Sequence, residues 1–162
     1  MHFEVEKYLG IWYELIKYPT ALDLTEDYNT TAEYGLAANG TVIVHNSTMV
    51  RGQIVEAYGE ALIEPLTYFK DGMVSIASFK ILFPGETMTL EPNYCIRYLF
   101  TNEIGDYLYA VVSNPELDSL HVLSRFPNPD LVSFNVLLSY LAKDFDLSRI
   151  VHVPHFQYLM VE

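Results

Sequence analysis

Apolar and polar residues alternate in short blocks along most of this chain, and each block is cut off by Gly, Pro, Asn or Asp. That period and that punctuation belong to β-strands and turns. The blocks run from Ile11 to Tyr18 (stopped by Pro19), Thr30 to Leu36, Thr41 to Asn46, Glu56 to Ile63, Val74 to Phe83, Tyr94 to Thr101, Tyr107 to Ser113 and Ser119 to Arg125. Asn39-Gly40 reads as a hairpin turn, because both residues accept positive φ at little cost. Consecutive strands of this number with short connections close into an up-and-down barrel, which removes both sheet edges.

The pattern changes once. Leu131, Phe134, Leu138 and Leu141 recur at helical spacing and predict a helix over about 130–143. Pro127 and Pro129 precede it, and Asn128 or Asp130 is placed to cap it. A turn and a last short strand over about 150–153 follow, ended by Pro154. The expected fold class is all-β: an eight-stranded antiparallel barrel over about 10–125, one C-terminal α-helix and a short final strand, in a single domain spanning 1–162. Such a barrel has room for one small ligand, and the helix must pack outside it. The tail from Pro154 to Glu162 is apolar and aromatic; it either packs on the barrel or offers a contact surface.

Composition narrows the function classes. The chain has 162 residues, 51% of them apolar and 13 of them Tyr, which suits a β-rich core. Its net charge of -12 opposes nucleic acid and anionic membranes as partners. No apolar run reaches the roughly 18 residues that a spanning helix needs. Cys95 is the single cysteine, so an internal disulfide has no second partner. Met1-His2-Phe3-Glu4 does not read as a signal peptide. The expected location is cytoplasmic if the sequence is complete, and secreted, periplasmic or membrane-anchored only if a leader was removed. The sequons at Asn29, Asn39 and Asn46 then read as ordinary turn and strand residues.

Two segments carry a family resemblance. Gly10-Ile11-Trp12-Tyr13-Glu14 resembles the opening of the lipocalins, and most of all their bacterial outer-membrane and apolipoprotein D branch. Leu120-His121-Val122-Leu123-Ser124-Arg125 is similar to the family's last barrel strand, which ends in Arg before a Pro-containing entry to the helix. The family's middle turn motif is degraded to Thr101-Asn102-Glu103, with an insertion through Ile104-Gly105 before Asp106-Tyr107. The usual disulfide cysteines are absent, which suits a reducing location or a member that never needed the staple. Gly10, Trp12 and Arg125 are expected to close the barrel bottom, with the Arg125 guanidinium over the indole in a cation–π contact worth about 0.5–2 kcal/mol.

Strand parity then fixes the inner face. With Arg125 inward, Leu123 and His121 point in and Val122 and Ser124 point out. Trp12 brings Glu14 and Ile16 inward. The resemblance implies further cavity positions at Tyr34, Asn46, Phe79 and Tyr94 or Tyr98. It also implies one at His121, where relatives usually carry Trp. Cys95 has the opposite parity and points out. The expected ligand residues are therefore Tyr34, Asn46, Phe79, Tyr94, Tyr98, His121, Leu123 and Glu14, with Ile81, Ile96 and Val111 as apolar walls. Apolar walls with a few polar groups are the form of a small-molecule site.

The reading that follows is non-catalytic binding, transport or sequestration of a small hydrophobic or amphiphilic ligand such as a fatty acid or lysophospholipid, by a monomer or homodimer. Two others stand beside it. One is a filled barrel acting as a protein-interaction module. The other is a lipid isomerase or hydrolase using Glu14 or His121 in the cavity. No metal or cofactor is expected: His2, His45, His152 and His155 form no pair four residues apart and no His–Cys cluster.

Overall fold

A computed structural model describes residues 2–20 and 27–156. Its strands are β1 (Gly10–Lys17), β2 (Tyr28–Leu36), β3 (Val42–Val50), β4 (Gln53–Glu64), β5 (Ala77–Leu82), β6 (Tyr94–Thr101), β7 (Tyr107–Ser113) and β8 (His121–Ser124). Each pairs antiparallel with the next, and β1 pairs with both β8 and β2. The sheet therefore closes on itself as an eight-stranded barrel. A ninth strand, β9 (Val151–His152), adds to the upper half of β1 through Ile16 and Lys17.

The hairpin at Asn39-Gly40 forms as expected, with Gly40 at φ +86°. A second tight turn at Arg51-Gly52 has both residues at positive φ, +52° and +79°, and it lengthens β3 and β4 beyond the expected bounds. Conversely, β5 begins at Ala77 rather than Val74, because Val74 makes only an isolated bridge to Tyr68. The insertion at 104–105 is absorbed in a five-residue loop. There Asn102 and Asp106 exchange three hydrogen bonds of 2.8–3.1 Å, and Gly105 takes φ +90°.

Outside the barrel lies α2 (Leu131–Asp144). Asp130 caps it by accepting from the Ser133 amide at 2.9 Å. The helix buries Leu137 and Leu141 and partly buries Phe134 and Leu138 against β1, β7 and β8. Leu131 was expected on that stripe but is exposed, since it sits in the first turn before the helix meets the sheet. Before β1 a single turn, α1 (Val5–Tyr8), seals the barrel base; four residues are too few to leave a periodic signal.

Two apolar cores result. The inner one fills the lower barrel around Trp12, Tyr8, Phe79 and Ile96. The outer one lies between sheet and helix around Ile16, Val111, Val122 and Leu141. Two β-bulges decide which residues belong to which. Glu14 pairs with Leu123 but Ile16 pairs with Val122, so Leu15 is the extra residue and both Leu15 and Ile16 face the helix. Likewise Ile96 pairs with Val112 and Tyr98 with Val111, so Arg97 is extra and Tyr98 turns outward. Strand parity therefore fails for Ile16 and Tyr98, which face the helix instead of the barrel interior; Val111, expected as an apolar wall, faces the helix too, as the cross-strand partner of the outward Val122. Cys95 faces outward, as its parity requires.

Beyond β9 the chain lies along the barrel. His155 Nε2 is 2.7 Å from the Glu14 carbonyl oxygen, and the Phe156 amide donates to Asn29 Oδ1 at 2.7 Å. The rest of the tail, 157–162, falls outside the described residues.

Candidate functional site

Among the described residues the barrel is closed at one end and open at the other, and its lower half is filled from the closed one. Gly10 begins β1 at φ +95°, a conformation that strains any side chain, and a Cβ there would sit 3.4 Å from Arg125 Nη1. Into this space Arg125 lays its guanidinium, 3.8 Å from the Trp12 ring centroid. Its nitrogens donate to the carbonyls of Ile11 at 2.8 Å, Leu9 at 2.8 Å and Lys7 at 3.0 Å. Trp12 is fully buried and donates its indole N–H to the Tyr8 carbonyl at 2.8 Å.

Above this closure lies a floor of aromatic rings. Phe3, Tyr8, Phe79 and Tyr94 pack at centroid distances of 5.5–6.5 Å. The hydroxyl of Tyr94 meets that of Tyr8 at 2.5 Å and that of Tyr34 at 2.9 Å. Burial holds all three phenols well above their ordinary ionisation range, and for Tyr34 the nearby Glu14 charge adds to the effect. The floor is therefore a chain of neutral hydroxyls, each satisfied by a neighbour.

Over the floor a cavity of about 550 Å³ opens toward the mouth. That volume lies within the roughly 300–1,000 Å³ typical of small-molecule sites. Its lining is mostly apolar and includes Ala32, Val44, Ala57, Ile81, Phe83, Val112 and Leu123. Gly59 makes room for Phe83, since a Cβ there would lie 2.9 Å from the Phe83 ring. The polar part of the lining includes Glu14, Tyr34, Asn46, Tyr94 and His121. Glu14 Oε2 lies 3.2 Å from His121 Nδ1; the Glu14 side chain is 12% exposed and that of His121 47%. His121 thus stands at the rim rather than deep inside.

The structure gathers Glu14, Tyr34, Asn46, Tyr94, His121 and Leu123 around one space. It separates Phe79, Ile96 and Tyr98 from them. Phe79 faces inward but lies beneath the floor, next to a void of only about 10 Å³. Ile96 is likewise packed in the inner core and does not line the cavity. Tyr98 is not a cavity residue at all: on the outer side of the Arg97 bulge, it hydrogen-bonds the Asp144 carboxylate of α2 and packs on Tyr140 at 5.5 Å. Sequence reasoning missed Tyr8, whose hydroxyl completes the floor; its aromatic ring two residues before the Gly10-Trp12 closure was the available signal. It also missed the small wall residues of β3, β4 and β7, which carry no chemical signature.

A family model described as Lipocalin-like domain matches residues 3–155. The outer membrane lipoprotein Blc of Vibrio cholerae is 29% identical over 157 residues, spanning 93% of this chain and 82% of that one. Temperature-induced lipocalin-1 of Arabidopsis thaliana is 25% identical over 155 residues, spanning 93% and 78%. Among solved structures, insecticyanin of the tobacco hornworm Manduca sexta superposes with a TM-score of 0.61 at 15% identity, over 98% of this chain and 82% of its own. At that identity the match speaks for the fold alone. No helix among the described residues is long and apolar enough to cross a membrane.

Proposed function

The chain belongs to the lipocalin family, and from that premise we propose that its barrel binds and carries a single small amphiphile, with the apolar chain in the cavity and the head group at the mouth. Binding of small hydrophobic ligands is the general habit of this fold family. The observation that supports it for this chain is the shape of the interior: a filled aromatic floor beneath an open cavity of about 550 Å³ with apolar walls. A solid barrel would have left no such space. Affinity would come from apolar burial at roughly 25 cal/mol per Å², less the cost of association. Glu14, Tyr34, Asn46, Tyr94, His121 and Leu123 are the residues proposed to contact the ligand.

Among the described residues, the other carboxylates on the lining, Glu56 and Glu86, engage His45 Nε2 and the Phe83 amide rather than Glu14. The filled-barrel interaction module loses its premise, because the upper barrel is not filled.

The test is titration with N-phenyl-1-naphthylamine, a neutral probe that brightens in apolar cavities. The native protein should take up one equivalent. Leu123→Trp, which projects a larger side chain from the wall, should weaken uptake at least about tenfold while leaving the fold intact. Equal uptake by both proteins, or none by the native one, would defeat the proposal.

A further inference from the structure

We infer that the cavity selects amphiphiles with a cationic head group, such as a protonated long-chain amine, over those headed by a carboxylate. This rests on the binding reading above. The observation is the balance of charge around the space. Glu14 projects from β1 into the cavity with its side chain only 12% exposed. One of its oxygens, Oε2, faces His121 Nδ1 at 3.2 Å; the other, Oε1, makes no hydrogen bond among the described residues. No Lys or Arg lines the cavity among the described residues. Lys17, the next inward position on β1, has its ammonium 3.3 Å from the Asp27 carboxylate.

Two further carboxylates border the mouth. Glu56 faces outward, 3.0 Å from His45 Nε2, and Glu86 Oε1 accepts from the Phe83 amide at 2.8 Å. His121 is the one cationisable group on the described lining, and it already lies against Glu14. An ammonium entering from the mouth would therefore find acceptors: Glu14 Oε1 and the Asn46 side-chain oxygen. A carboxylate would meet a like charge in a partly desolvated wall, where Coulomb repulsion is screened less than in water. The reach of that field is visible in the floor, where the Glu14 charge disfavours ionisation of the Tyr34 phenol.

The experiment is displacement of N-phenyl-1-naphthylamine at neutral pH by dodecylamine, dodecanol and dodecanoate, each below its solubility limit and, for the two charged ones, below its micelle concentration. The chain is common to the three, so the differences report the head group. The inference predicts the amine about tenfold tighter than the acid, the size of one charge-assisted hydrogen bond. In Glu14→Gln the amine-to-acid ratio should fall to within about threefold. Asn46→Lys, which leaves Glu14 in place, should reverse the order.

If dodecanol displaces the probe but amine and acid bind alike, or the acid binds better, the head-group inference fails while the binding reading stands. If the amine preference survives undiminished in Glu14→Gln, it comes from the overall charge of -12, and the assignment to Glu14 fails. If none of the three displaces the probe, the binding reading itself fails.

Discussion

Arg125 lies over Trp12, its guanidinium carbon 3.8 Å from the ring centroid, and the same guanidinium holds the carbonyls of Lys7, Leu9 and Ile11. One side chain thus joins the end of β8 to α1 and to the start of β1. Replacing Arg125 with Ala removes the cation–π contact and leaves four carbonyls, those of Lys7, Leu9, Ile11 and Tyr107, without that donor. We expect a loss of about 2–4 kcal/mol in urea unfolding. Lys at this position should recover only part, because an ammonium lacks the planar fork. Trp12 is the single tryptophan, so its emission follows the same transition directly. A loss below about 0.5 kcal/mol would show that α1 and β1 close the base without Arg125.

The chain of phenols at Tyr8, Tyr94 and Tyr34 predicts a specific alkaline response. Burial raises all three above the usual range, so the folded state keeps protons that the unfolded state releases. Their stabilising contribution is complete below about pH 10, the ordinary tyrosine value, and is lost as pH rises above it. Absorbance titration near the tyrosinate band should show these residues ionising only with unfolding, after the exposed tyrosines. Tyr94→Phe, which leaves both neighbours without their shared partner, should cost about 1–3 kcal/mol. Full reversible ionisation of every tyrosine in the folded protein would contradict this.

At the opposite face, Arg97 is buried in the angle between barrel and helix. It reaches Asp71 at 2.5 Å and 3.0 Å and Asp144 at 2.9 Å, and lies 4.8 Å from the Phe69 ring centroid. The guanidinium holds the Asp71 carboxyl down to about 2. A carboxyl lowered in this way contributes stability above its unfolded value of about 3.9 and loses it as pH falls toward 2. The urea midpoint should therefore drop through that window, and the drop should be shallower in Asp71→Asn. Arg97→Met should cost about 3–5 kcal/mol, since it leaves the largely buried Asp144 carboxylate without its counter-ion and with only the Tyr98 hydroxyl beside it. An acid profile identical in Asp71→Asn and the native protein would be the contrary result.

Tyr98 separates the observed site from the one that strand parity alone would draw. Its hydroxyl contacts Asp144 outside the barrel. Tyr98→Phe should lower stability by about 1 kcal/mol and leave probe affinity within about twofold. A tenfold loss of affinity would put the residue back in the cavity.

Much of this architecture can be read from the chain, and the exceptions share a cause. The Trp12–Arg125 closure was legible because the two motifs that carry the family resemblance stand at the first and last barrel strands, and Asn39-Gly40 because the turn needs a positive φ, which Gly40 supplies. Helix α2 was legible from its stripe, apart from Leu131 in a turn that overhangs the sheet. Parity gave Glu14, His121 and Leu123 correctly as inward-facing positions but failed after each bulge. Leu15 and Ile16 are both apolar, so an extra residue there leaves the hydrophobic pattern undisturbed while turning Ile16 toward the helix. At Arg97 the signal was present in principle: a charged residue in an apolar strand has to find its counter-ions, and the bulge aims it at Asp71 and Asp144. The level at which the floor ends and the cavity begins depends on how α1 and Phe3 pack from below, and no local pattern encodes that.

Native mass spectrometry of the gently purified protein, followed by solvent extraction of whatever it carries, tests the binding claim most directly. The expected result is one equivalent of a single-chain amphiphile, present in the native protein, reduced in Leu123→Trp and retained in Tyr98→Phe. A clean unliganded mass, together with failure to take up any member of a panel of long-chain amines, alcohols, acids and lysophospholipids, would contradict the claim that this barrel is a carrier.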